Sequence, residues 1–205
     1  ADNRPTPRAP GKVLHITSLA NPVVKEIRGL SLGKNRKASG QFIAEGLKLV
    51  AEAVKAGWTI RRLVHATRVT DDPLVAQLAA TTRTRGGDVV VVSEAVLGKM
   101  TRRENPQTVL GVFDQQLTEA SAIRPGPASV WVALEQIRDP GNLGTILRTV
   151  DSVGAEGVIL VGDTVDPFSM EAVRATMGSI FNVALARMTS EAFAKLIAAW
   201  PGTSV

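Results

Sequence analysis

Arg148 is the residue of this 205-residue chain whose placement packing does not explain. It lies in the run Arg138-Asp139-Pro140-Gly141-Asn142-Leu143-Gly144-Thr145-Ile146-Leu147-Arg148-Thr149-Val150-Asp151-Ser152-Val153-Gly154, on the helix face opposite most of the apolar stripe. A guanidinium keeps its proton at any ordinary pH and presents N–H donors in a rigid fork. Its chemistry is therefore that of a fixed cation, able to orient an oxygen and to stabilise charge that develops on it. On spacing alone it also reads as a surface helix arginine. Glu135 and Asp139 stand at a strand end, near the edge where ligands of α/β proteins usually sit, and suit either positioning or turn capping. Arg174 is a helix-borne arginine close to the Gly178-Ser179 turn, an arrangement suited to an anion or to salt bridging. A third group, Lys34, Arg36 and Lys37, occupies a basic stretch bounded by Gly33 and Gly40, read as a loop whose charges contact phosphate or are simply solvated.

The elements that must hold these residues follow from periodicity. The apolar run 130–134 reads as a buried strand. Pro140-Gly141 then turns the chain, and Asn142 is a good N-cap. Leu143, Ile146, Leu147, Val150 and Val153 follow at helical spacing, with Gly154 as the C-cap glycine. The rhythm continues with a strand at 157–162, a helix at 169–177, a strand at 181–186 and a helix at 190–199. In the first half a helix at 21–32 leads to strands at 41–44, 60–65, 88–92 and 108–113. Helices at 47–56, 73–83 and 93–100 separate them. Alternating strands and helices predict an α/β protein with a parallel or mixed sheet. Four regions result: a disordered basic leader at 1–12, a first domain at 13–115, a polar and then Pro/Gly-rich linker at 116–129, and a second domain from 130 to 205.

Charge is distributed unevenly. The net charge is +5, but residues 1–40 hold eight Lys/Arg against two acids and residues 129–205 hold five against eight. A polyanion-binding surface therefore belongs to the first half. Three Trp, five Phe and no Tyr argue against a base-stacking platform and favour recognition of shape and backbone. There is no cysteine, and the two histidines make a metal site improbable. No apolar run has transmembrane length and no secretory signal is evident, so a cytoplasmic protein without membrane or metal is expected. The motifs G-x-G-x-x-G, P-loop, G-x-S-x-G and H-E-x-x-H do not occur, which removes support for a dinucleotide oxidoreductase, an NTPase, a serine hydrolase and a zincin.

The pattern Asp139-Pro140-x-Asn142-x-Gly144-x-x-x-Arg148-Thr149, closing on Gly154, resembles the first signature motif of the SpoU (TrmH-like) RNA 2′-O-ribose methyltransferases of the SPOUT superfamily. Asp166-Pro167-Phe168-Ser169 and Arg174-Ala175-Thr176-Met177-Gly178-Ser179 resemble the segment that follows it in that family. Phe42-Ile43-Ala44-Glu45-Gly46 and Asn105-Pro106-Gln107 resemble the family's amino-terminal substrate-binding domain. The resemblance covers roughly residues 15–190. It implies an L30e-like α/β substrate-binding domain followed by a SPOUT-type α/β methyltransferase domain. It further implies methyl transfer from S-adenosylmethionine to a ribose 2′-hydroxyl of RNA, 23S ribosomal RNA before transfer RNA, by a homodimer. The alternative is a module that binds RNA or assembles with partners without methylating. The implied catalytic residues are Arg148, acting on the ribose hydroxyl, and Asn142, holding Arg148 or the ribose. The implied RNA contacts are Lys34, Arg36, Lys37, Arg174 and Ser179. Gly144 is expected to serve close backbone approach. The family's later motifs, which form a knotted cofactor pocket, are not matched, so the chain is expected to be a fragment with its cofactor-binding residues beyond Val205.

Overall fold

The computed structural model describes residues 9–101, 107–123, 126 and 128–201. The chain divides into two compact units, Ala1–Asp114 and Gln115–Val205. The expected leader lies outside the described residues over 1–8. It is already pinned at Gly11, whose main-chain N–H donates to Arg83 O at 2.9 Å, and at Lys12, whose N–H donates to Asp88 Oδ1 at 2.8 Å. A strand that periodicity did not announce, β1 (Val13–Ile16), follows directly. It is short and only one of its four residues is buried, so it carries little alternation to read.

In the first unit the elements continue as α1 (Pro22–Gly29), α2 (Gly33–Ser39), β2 (Gln41–Glu45), α3 (Leu47–Lys55), β3 (Arg62–Ala66), α4 (Pro73–Thr84), β4 (Asp88–Val92), α5 (Glu94–Thr101) and β5 (Val109–Asp114). The strands form one mixed sheet in the order β1-β4-β3-β5-β2. β4 runs parallel to β1 and β3, and β5 runs antiparallel to β3 and β2. The valines 89–92 are all buried, as a strand covered on both faces demands. Phe42, Trp58 and Phe113 pack as an aromatic triad with centroids 5.8–6.4 Å apart.

The glycine-bounded basic loop is corrected here: residues 33–39 are the helix α2. Gly40 is its left-handed C-cap, with φ 66°, and its N–H donates to Arg36 O at 2.8 Å. The second glycine therefore stops a helix instead of flanking a loop. Arg36 is only 5% exposed, and its Nη1 donates to Leu30 O at 2.8 Å and Ser31 O at 3.0 Å, just past the end of α1. It ties two helices together. Lys34 and Lys37 remain exposed.

The second unit is β6 (Trp131–Glu135), α6 (Pro140–Ser152), β7 (Gly157–Val161), α7 (Met170–Ala175), β8 (Ala184–Met188) and α8 (Ser190–Ala198). Its three strands are parallel in the order β6-β7-β8. The fully buried β7 is central. The strand expected at 181–186 begins later because Ser179–Phe181 forms a 3₁₀ turn first. The expected burial of 130–134 is also corrected: Val130 is 55% exposed, Ala133 is exposed, and Trp131, Val132 and Leu134 are half-buried, since among the described residues β6 stands at the edge of its sheet. Much of the expected linker belongs to this unit. Thr118 N–H donates to Leu185 O at 2.6 Å, and Ile123 is buried against Ile159, Val161, Ala186 and Met188. Residues 124, 125 and 127 of that segment lie outside the described residues, as do Asn105 and Pro106 of the quoted motif and 202–205.

Candidate functional site

The helix α6 starts three residues earlier than its sequence suggests. Asp139, not Asn142, is the N-cap; its Oδ1 accepts from Asn142 N–H at 2.7 Å. Pro140 decides this, since a proline fits the first helical position, where its missing N–H costs nothing. Leu143, Leu147 and Val150 are buried as expected, and Ile146 is half-buried. Val153 departs from the stripe and is 71% exposed, because it lies past the last helical turn as the C-cap.

What places α7 beside α6 is the absence of a side chain at Gly144. A Cβ built there would sit 2.4 Å from Ala175 Cβ and 2.6 Å from Ala175 C, so the two helices touch at this point. The turn after α7 is thereby laid along the face of α6 that carries Arg148. That turn is internally locked. Thr176 is fully buried, its Oγ1 donates to Val173 O at 2.7 Å and accepts from Gly178 N–H at 3.4 Å. Met177 takes φ 50°, unusual for a residue with a side chain, and is 73% exposed.

Between these walls lies an open cleft of about 680 Å³, lined by Thr145, Arg148, Thr149, Asp151, Ser152, Thr176, Met177 and Ser179. Thr145, Arg148, Thr149 and Ser152 follow the spacing of one helix face. The hydroxyls of Thr145, Thr149 and Ser152 donate to Gly141 O, Thr145 O and Thr149 O at 3.0, 3.1 and 2.8 Å. Their protons are turned into the helix, which leaves Arg148 as the strong donor of the cleft. Arg148 is exposed and makes no hydrogen bond or ion pair among the described residues. An aspartate three positions on could close onto it. Instead Asp151 Oδ2 accepts from Asn182 Nδ2 at 3.2 Å.

Of the residues singled out from sequence, the structure brings Arg148 and Ser179 into one cleft. Asn142 is exposed in the first turn of α6, about 9 Å along the axis from Arg148, and does not line it. Arg174 is exposed on α7 and is not part of the lining either. Glu135 is exposed at the end of β6. Lys34 and Lys37 belong to the first unit. Arg36 is withdrawn from the candidate phosphate contacts by its two carbonyl partners. Asp166-Pro167-Phe168-Ser169 has a structural explanation: Asp166 Oδ1 accepts from Phe168 N–H at 2.9 Å, Phe168 is buried, and Ser169 Oγ caps α7 by accepting from Ala172 N–H at 3.2 Å. Thr176 and Met177 stand in the quoted 174–179 motif but have no role assigned from sequence, and Asp151 has none either. The signal for Asp151 is its helical spacing from Arg148, and that for Thr176 and Met177 is the motif itself.

An unpaired guanidinium over a polar, hydroxyl-rich cleft suits a sugar and its phosphates. Comparison with known proteins gives the family. Residues 129–201 match the SpoU rRNA methylase family, and residues 21–111 match the MRM3-like substrate binding domain. The chain is 35% identical over 178 residues to an uncharacterised tRNA/rRNA methyltransferase of Synechocystis, covering 82% of this chain and 60% of that relative. It is 29% identical over 175 residues to the 23S rRNA guanosine 2′-O-methyltransferase RlmP of Bacillus subtilis, covering 84% of this chain and 64% of the relative. The chain thus spans less than two thirds of either curated protein. Among solved structures, the AdoMet-bound rRNA methyltransferase of Sinorhizobium meliloti superposes with a TM-score of 0.85 at 50% identity, over 91% of this chain and 69% of that one.

Proposed function

Since the chain belongs to the SpoU family of RNA methyltransferases, we propose that it transfers a methyl group from S-adenosylmethionine to a ribose 2′-hydroxyl of ribosomal RNA. The observation that carries this reading is the unpaired Arg148 guanidinium facing an open cleft. Bound sugar-phosphate would meet a cation already in place, so no ion pair has to be broken to engage it. Arg148 hydrogen-bonds the acceptor oxygen or its neighbouring phosphate, fixes its orientation, and stabilises the negative charge that grows on oxygen during transfer. It does not remove the proton, because it has no free lone pair to accept one. Ser179 lies across the cleft as a second polar contact. Asn142, in the first turn of the same helix with a side-chain amide unpartnered among the described residues, is proposed to hold the RNA strand leading to the cleft.

S-adenosylmethionine would supply an electrophilic methyl carbon on a sulfonium. The cleft fits the acceptor sugar, whereas the flat apolar faces of an adenine find only Met177 in its lining; we assign none of the described residues to holding the donor.

In the first unit, exposed Lys34 and Lys37 on α2 suit contacts to phosphate, which position RNA without reading its sequence. We further propose that the protein is cytoplasmic, that it works as a homodimer without a metal, and that 23S ribosomal RNA is its target. The RlmP relative, named for that substrate, supports the last point. The test is methyl transfer from labelled S-adenosylmethionine to ribosomal RNA by the full-length protein, with 2′-O-methyl positions mapped in cells with and without the gene. A missing modification in the deletion strain supports the assignment; unchanged RNA and no transfer in vitro reject it.

A further inference from the structure

We propose that Asp151 is a further catalytic residue, the acceptor for the proton of the ribose hydroxyl that Arg148 orients; this rests on the methyl-transfer reading above. A neutral hydroxyl that becomes an ether must lose its proton. Arg148 is already protonated, and the hydroxyls of Thr145, Thr149, Ser152, Thr176 and Ser179 are not bases near neutral pH. Asp151 is the one carboxylate in the lining, and hence the one side chain there whose chemistry is that of a proton acceptor.

Its placement suits the task. Asp151 follows Arg148 by three residues on the same helix, so both side chains serve one face. At that spacing an arginine and an aspartate commonly pair, and a paired carboxylate would be a weaker base beside a neutralised cation. Here no ion pair forms between them among the described residues. The anchor is Asn182, directly after the Ser179–Phe181 turn, whose own N–H donates to Ser179 O at 3.1 Å and whose Nδ2 donates to Asp151 Oδ2 at 3.2 Å. That bond occupies one carboxylate oxygen and leaves Oδ1 without a partner among the described residues. Asn182 is a positioning residue in this arrangement: it keeps the base and the cation apart while both border the same cleft.

The step balances. The ribose oxygen forms its bond to the methyl carbon as the sulfur–carbon bond of the sulfonium donor breaks, and that electron pair stays on sulfur as a thioether. The O–H bond breaks and its proton passes to Asp151 Oδ1, giving the neutral acid. Solvent takes the proton after the product leaves.

Asp151→Asn is the decisive variant, because an amide oxygen can still accept from Asn182 but cannot hold the proton. General-base losses run on the order of 10²–10⁴-fold. Single-turnover transfer to 23S ribosomal RNA by the full-length protein is therefore expected to fall about 100-fold, with RNA affinity and melting temperature unchanged. In Asp151→Ala, sodium formate should restore part of the rate in proportion to its concentration, and Asp151→Glu should keep part of it. Asn182→Ala should lose about tenfold with unchanged RNA affinity. Undiminished transfer by Asp151→Asn overturns the proposal alone. So does a loss that tracks RNA affinity or stability, or a loss that neither formate nor glutamate relieves, since a merely structural tie would behave that way. No transfer by the unaltered protein overturns the methyl-transfer reading, and this inference with it.

Discussion

Replacing Gly144 by alanine tests how the cleft is built. In an open helical position Gly→Ala stabilises by roughly 0.5–1 kcal/mol, through the entropy of the unfolded chain and helix propensity. Gly144 is not open. The added methyl would lie 2.4 Å from Ala175 Cβ, 2.6 Å from Ala175 C and 2.8 Å from Ala175 O. Ordinary carbon–carbon contact is about 3.5–4.0 Å, so α6 and α7 must separate by about 1 Å. Two of the three clashing atoms are backbone, so no rotamer change relieves them. Overpacking of this kind costs about 1–3 kcal/mol, and the rigid partner argues for the upper part of that range. Set against the propensity gain, the net expectation is a destabilisation of about 2 kcal/mol, read as a lower midpoint in urea. The kinetic consequence is larger. A shift of that size moves the 176–179 turn away from Arg148, and a 1 Å misplacement can cost about 100-fold in rate. Equal or greater stability with undiminished methyl transfer would refute the claim that this missing side chain sets the cleft.

Arg148→Ala should lower methyl transfer by at least about 100-fold while stability stays within about 0.5 kcal/mol, because the side chain is exposed and unpaired; chemical denaturation beside a turnover assay checks both halves. Arg36→Ala should cost about 2 kcal/mol by leaving two carbonyls near the end of α1 without their donor, and should leave RNA affinity nearly unchanged. The double change of Lys34 and Lys37 to alanine should do the reverse, weakening RNA binding and flattening its salt dependence by a slope of about 1–2 if both contact phosphate. If instead the arginine variant loses RNA affinity and remains stable, the assignment of α2 as a structural staple is wrong. Asp139→Ala should cost about 1 kcal/mol as a lost N-cap, and Asn142→Ala much less, a difference measurable by thermal melting.

Local pattern carried far where local forces decide. The valine run of β4 and the stripe Leu143, Leu147, Val150 were readable because burial imposes a period on the sequence. The N-cap was misread because Asp139 and Asn142 are both competent caps three residues apart, and only the rule for Pro140 separates them. α2 was missed because a glycine that ends a helix and one that borders a loop look alike until φ is known. Arg36 was counted with its basic neighbours because nothing in sequence reveals that its guanidinium turns back onto carbonyls five and six residues away. The exposure of β6 depends on how many strands flank it, a property of the sheet and not of the segment. Arg148 stands out in sequence by its place opposite the apolar stripe and by its motif. Its freedom from Asp151 was not legible, since that rests on Asn182, 31 residues further along the chain.

The uneven covering of the three-stranded sheet has a mechanical consequence. Among the described residues β7 is fully buried with a neighbouring strand on each side, whereas β6 has a neighbour on one side only and none of its residues is fully buried. Segments with little buried surface open at low energetic cost. In this 205-residue chain, amide protons of β6 should therefore exchange with solvent well before those of β7, and a strand or partner laid along that open edge would slow them.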